Sequence, residues 1–306
     1  MPIEVGLPDG RKLAARQWGA PGGSPVLLHH GTPGSRLGVA LADVPERHPH
    51  VRFFSYDRPG YGGSDRAPGR RVADAAADSA AVADALGIGR FAVVGRSGGG
   101  PHALACAALL PGRVTAAACL VGLAPRDGTG LDWYAGMTPH NVDHYTLADR
   151  DPAALERRVT SRAARIRRDP GRLLEDLRTH LPAADLAVLA DDRVRRAVLD
   201  TFREALRDSA YGWLDDSLAV GRPWGCDPRR ITAPVMLWHG AEDVFSPVGH
   251  FHWLARRIGH SRAVLAPGAG HFAAQYALCE ALGWIRGQGV SSGPARTGEF
   301  RPRRRS

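Results

Sequence analysis

Lysine is nearly missing from this chain: Lys12 stands alone in 306 residues. Basic charge rests on arginine, a bias of coding composition rather than a sign of function. Nor is there a run of about 18 uncharged apolar residues, so no membrane span is expected. The N-terminal "MPIEVGLPDG" lacks a charged segment followed by an apolar one, so no secretory signal is read there. Cysteines number only four, Cys106, Cys119, Cys226 and Cys279, and none has metal-ligand spacing. "GRSGGG" at 95–100 lacks the Lys-Ser/Thr pair of a phosphate loop, and no dinucleotide fingerprint follows the first strand. These absences leave a cytoplasmic protein with no metal or organic cofactor as the expectation.

Charged residues are 23% and hydrophobic residues 44% of the chain, ordinary for a globular protein. The net charge of +9 raises the question of nucleic acid. Much of it sits in 296–306, where Arg296, Arg301, Arg303, Arg304 and Arg305 face only Glu299. Clusters such as Arg165, Arg167 and Arg168 have no interleaved aromatics and read as a solvated helix face, so no nucleic-acid partner is expected.

Short apolar runs alternate with helical stretches. Strands are read at 3–6 and 12–18 (a hairpin around "LPDG"), 24–30, 51–57, 91–95 and 113–122, with helices at 71–86 and from Pro101. After Leu123 the texture turns helical and arginine-rich to about residue 230, with Asp151 and Asp191 as candidate N-caps. Strands return at 233–240 and 261–267, and "HFAAQYALCEALGWIRG" closes with a helix. The fold class is α/β, a mainly parallel sheet flanked by helices with an inserted helical cap. The expected divisions are 1–122 and 231–287 for the body, 123–230 for the cap and 288–306 for a disordered basic tail.

"VVGRSGGGPHALA" at 93–105 puts Ser97 between a buried strand and a helix. A Gly-X-Ser-X-Gly corner there suits a nucleophile: Gly95, Gly99 and Gly100 clear space, and the helix N-terminus faces the site. The Gly98 N–H, next in the chain, is placed to meet a developing oxyanion. A plain glycine-rich turn is the alternative. Arg96 is open to two readings, a structural salt bridge or a contact to an anionic substrate group.

From residue 10 to 286 the chain resembles the α/β-hydrolase family, in its capped serine-hydrolase branch close to esterases and proline iminopeptidases. The resemblance rests on the Ser97 corner, "HHGTPGS" at 29–35, "YDRPGYGGSD" at 56–65, "LWHGAEDVFSP" at 237–247 and "APGAGHFA" at 266–273. It implies a Ser97–Asp243–His271 triad, with Glu242 the nearest rival acid, and backbone N–H donors from Thr32 and Gly98. His30, Gly31 and Pro33, with Gly95 and Gly99, would support the loops, and Asp57 with Arg58 would tie their loop by charged hydrogen bonds. Serine at 97 argues against dehalogenase or epoxide-hydrolase branches, which place aspartate there.

The resemblance implies hydrolysis of a carboxylic ester on a small, mildly apolar substrate. The alternatives are a proline-iminopeptidase-like aminopeptidase, a cofactor-free peroxidase and a non-catalytic small-molecule receptor. Glu156, Asp215 and Asp216 are candidate holders of a substrate amine. Trp133, Tyr134, Met137, Tyr145 and Trp213 are candidate pocket residues, or core of the cap. Either a monomer or a homodimer is compatible with the sequence.

Overall fold

The computed structural model describes residues 2–290. Eight strands form one sheet: β1 Ile3–Gly6, β2 Lys12–Gly19, β3 Ser24–His29, β4 Val51–Tyr56, β5 Phe91–Arg96, β6 Val114–Leu120, β7 Val235–Gly240 and β8 Arg262–Ala266. Their spatial order is β1-β2-β4-β3-β5-β6-β7-β8. Both pairings of β2 are antiparallel, and all pairs from β4 to β8 are parallel. The helices are α1 Val44–Arg47, α2 Ala75–Ala85, α3 Gly99–Leu109, α4 Pro139–Arg150, α5 Pro152–Arg168, α6 Gly171–Arg178, α7 Ala183–Leu189, α8 Asp192–Ala205, α9 Tyr211–Val220, α10 Val248–Arg257 and α11 Ala274–Val290.

The central strands are apolar without alternation because both faces are covered. Leu27, Val93, Cys119 and Leu237 join a core on one face. Their neighbours Leu28, Val94, Ala118 and Trp238 join a second core on the other. Helices α4 to α9 lie in the chain between β6 and β7. Asp151 caps α5 through the Ala154 N–H at 2.9 Å and Asp191 caps α8 through the Arg193 N–H at 2.9 Å.

Leu123, Ala124, Trp133 and Met137 pack in a core shared with β1 to β7, to which α9 also contributes Ala219 and Val220. Helix α11 carries residues 288–290, and the rest of the expected tail lies outside the described residues. Helix α10 was not read from the sequence. Among the described residues, no helix is long and apolar enough to cross a membrane.

Candidate active site

Strand β5 ends at Arg96 and α3 begins at Gly99, leaving Ser97 and Gly98 to make the corner. Ser97 has φ +53°, a left-handed conformation rare for a residue with a side chain. The corner closes only around glycine. A Cβ at Gly95 would lie 2.0 Å from the Gly99 carbonyl oxygen, and one at Gly100 would meet Cys119 Sγ at 2.7 Å. A Cβ at Gly99 would sit 2.5 Å from the carbonyl oxygens of both His29 and His30. Gly99→Ala is therefore expected to destabilise the protein by about 1–3 kcal/mol. Gly112→Ala, where a Cβ meets nothing within 4 Å, should change stability by less than about 0.5 kcal/mol. Thermal denaturation of the two variants checks both.

The loop after β3 abuts this corner. A Cβ on Gly31 would be 3.5 Å from Ser97 Cβ, and one on Gly98 would be 3.4 Å from the Thr32 backbone nitrogen. His30 is buried and holds the loop from within. Its Nδ1 donates to the Gly31 carbonyl at 2.8 Å, and its Nε2 accepts from the Arg58 N–H at 3.0 Å. Burial, then the Arg58 charge, keeps this imidazole neutral by pushing its pKa well down. Pro33 follows Thr32 and, with Gly31 and Thr32, borders the cavity described below.

Arg58 binds the carbonyls of His30 and Gly31 at 2.5 and 3.0 Å. It pairs with Asp216 of α9 at 2.5 Å, not with the adjacent Asp57. Asp57 pairs instead with Arg36. Asp216 is fully buried and also takes Arg70 at 2.6 Å, the Tyr61 hydroxyl at 2.9 Å and the Thr32 hydroxyl at 2.6 Å. Burial alone would raise the pKa of this carboxyl, but Arg58 and Arg70 outweigh burial and hold it well below the usual range. Asp215 is bound by Arg66 at 2.9 and 3.0 Å. Asp215 and Asp216 are thus committed to arginines, and Glu156 is exposed and absent from the cavity wall. None of the three is placed to hold a substrate amine.

Asp243 and His271 come from the loops after β7 and β8. His271 Nδ1 donates to Asp243 Oδ2 at 2.8 Å, which leaves Nε2 with its lone pair. Asp243 Oδ1 accepts the N–H groups of Phe245 and Ser246 at 2.8 and 2.9 Å. Burial opposes the ionised form, yet His271, His239 and the backbone donors bring the Asp243 pKa below its ordinary value. Glu242, the rival acid, is exposed and makes no such contact. The histidine loop has a further support that sequence reasoning missed. The Asp185 carboxylate of α7 accepts the N–H groups of His271 and Phe272 at 3.1 and 2.7 Å. Gly270 leaves room for it, since a Cβ there would lie 2.4 Å from Asp185.

Ser97, Gly98, Thr32 and His271 open on one cavity of about 150 Å³. No hydrogen bond joins Ser97 Oγ to His271 among the described contacts, as is common in unliganded sites. Of the five candidate pocket residues, Tyr145 and Trp213 line this cavity, whereas Trp133, Tyr134 and Met137 do not. Trp133 is a core residue: its indole N–H donates to the Ala124 carbonyl at 2.9 Å, and its ring packs against Tyr145 and His250. Met137 is buried in the same core, and Tyr134 packs on Trp133 with its hydroxyl on Asp149. Trp133→Ala is expected to cost about 3–5 kcal/mol in chemical denaturation. A cleft residue would instead show its main effect in KM.

The wall also includes Leu173 and Leu177 of α6, Val198 and Phe202 of α8, and Arg96, Arg162, His140 and His144. The helical texture of this region was legible in the sequence, but not which groove its apolar residues enclose. His29 Nε2 lies against the Ser79 hydroxyl, His30 serves its own loop and Asp57 holds Arg36. Among the described residues, no group of three His, Cys, Asp or Glu is arranged to hold a metal ion.

Sheet order, the strained serine between β5 and α3, and the sequence profile of the alpha/beta hydrolase fold, which matches residues 24–275, place this chain in that family of enzymes. Among its relatives is a pimeloyl-[acyl-carrier protein] methyl ester esterase of Nitrosomonas europaea, 28% identical over 74% of this chain and 83% of that protein. A non-heme chloroperoxidase of Streptomyces lividans is 36% identical over 119 residues, which cover 38% of this chain and 43% of that protein. The fold of a thermophilic esterase from Thermogutta terrifontis superposes with a TM-score of 0.68 at 24% identity, covering 94% of this chain and 99% of that one.

Proposed function

We propose that this protein hydrolyses carboxylic esters of small molecules through Ser97, His271 and Asp243. The observation that carries the reading is the left-handed Ser97 corner opening on the same cavity as His271, whose Nδ1 is already engaged by buried Asp243. With that tautomer, Nε2 is the free base. In the proposed reaction His271 Nε2 takes the Ser97 proton as Oγ attacks the ester carbonyl carbon. The carbonyl oxygen becomes an oxyanion near the Thr32 and Gly98 N–H groups. Collapse expels the alcohol, which receives the proton from His271, and leaves an acyl-serine. A water, deprotonated by the same histidine, attacks the acyl-serine; the C–Oγ bond breaks to release the acid, and His271 returns the proton to Ser97 Oγ. None of these steps calls on a cofactor.

The esterase relative supports ester chemistry. The aminopeptidase alternative loses its nearest amine-holding groups, because Asp215 and Asp216 are ion-paired. Hydrolysis of a panel of p-nitrophenyl esters and of proline p-nitroanilide, in the wild type and in Ser97→Ala, tests the reading. Ester turnover that vanishes in the variant is the expected result. Turnover of the anilide alone would overturn the ester assignment in favour of an aminopeptidase.

A further inference from the structure

Two arginines, Arg96 and Arg162, line the cavity beside Ser97, and among the described residues no aspartate or glutamate lines it. Other well-buried arginines here meet an acid: Arg36 has Asp57 and Glu204, while Arg58 and Arg70 share Asp216. Arg96 forms no salt bridge among the described residues, and its Nη2 donates to the Gly38 carbonyl at 3.3 Å. Arg162, reaching in from α5, donates Nη1 to His140 Nε2 and lies 5.4 Å from the centre of the Trp213 ring; among the described residues no carboxylate is in direct ion-pair contact with it, and Asp176 acts on it only through its field, against burial and the like charges of Arg158 and Arg165.

The cavity histidines add no charge of their own. Burial, helped by Arg162, brings His140 down to about 4, and burial brings His144 to about 3, so both rings are neutral at pH 7. Burial lowers Arg96 to about 10, which still leaves it protonated. A cation held in a half-dry wall without a counter-charge is costly, and that cost is recovered when an anion arrives. Guanidinium edges match carboxylate oxygens with paired, charge-assisted hydrogen bonds. The same wall carries apolar residues, Leu173, Leu177, Val198 and Phe202.

We propose that the cavity selects esters that also carry a carboxylate, with Arg96 and Arg162 as the residues that recognise the anion. This rests on the ester-hydrolase reading for the chemistry, but not for the binding. The test therefore begins with binding to Ser97→Ala, which is to be read whether or not the wild type turns over. Calorimetry compares monophenyl glutarate with phenyl valerate, which have the same acyl chain length. Monophenyl glutarate should bind about tenfold tighter or better, and adding Arg96→Met or Arg162→Met should bring the two ligands toward parity. Equal affinity in Ser97→Ala, or a preference that both methionine variants leave intact, overturns the inference. The kcat/KM ratio of the matching p-nitrophenyl esters in wild type, Arg96→Met and Arg162→Met gives the same comparison, and losses common to both substrates cancel in it. Turnover without an anion preference contradicts this inference alone. An anion preference in binding without ester turnover supports it and contradicts the hydrolase reading.

Discussion

Ser97→Ala is expected to lower ester kcat/KM by on the order of 10⁴ to 10⁶, the range seen when a triad nucleophile is removed. The corner should survive in part, because the strain at φ +53° is imposed by the glycines and backbone around it rather than by the hydroxyl. Near-native thermal stability with lost turnover is the expected pair of results. His271→Ala should cost a similar factor, and the double variant little more than either single one. Groups that act in the same proton transfer are grossly non-additive. Independent, multiplicative losses would mean that Ser97 and His271 do not work on one reaction.

Asp216→Ala should cost about 3–5 kcal/mol of stability, because it leaves the buried guanidiniums of Arg58 and Arg70 without their counter-charge. The Thr32 hydroxyl loses its partner as well, so turnover should fall along with stability. The pH dependence has a definite sign. In the folded protein the Asp216 pKa is held well below its ordinary value. Its contribution is therefore complete above the unfolded carboxylate value of about 4 and is lost as pH falls below that toward the folded pKa. Melting temperatures measured from neutral pH into acid should fall more steeply for the wild type than for Asp216→Ala over that window. Parallel curves would remove Asp216 as a determinant of acid stability.

The body of the fold was legible because its strands are bare apolar runs cut by glycine, proline and polar residues, as at "FAVVG" and "APVMLWHG". The serine corner was legible for the same local reason: strand, clustered glycines and helix follow one another in the chain. Asp243 and His271 were located through a family pattern, since nothing local separates His271 from other loop histidines. What escaped was non-local. Thr32 and Asp216 lie 184 positions apart, and Asp185 reaches His271 across 86. No sequence pattern announces such contacts. Trp133 illustrates a different limit. An indole in an aromatic-rich stretch has the same composition whether it lines a cleft or fills a core, and only its hydrogen bond to Ala124 decides. The environment of Arg96 was open for a similar reason, because an absent counter-charge becomes visible only when every neighbour is placed.

The most direct test of the central claim, that Ser97 is a primed nucleophile, is covalent labelling by a fluorophosphonate followed by intact-mass and peptide analysis. The expected result is one adduct per chain, mapped to Ser97, abolished in Ser97→Ala and slowed in His271→Ala. No adduct on the folded wild type, or an adduct on another residue that persists in Ser97→Ala, would contradict the account.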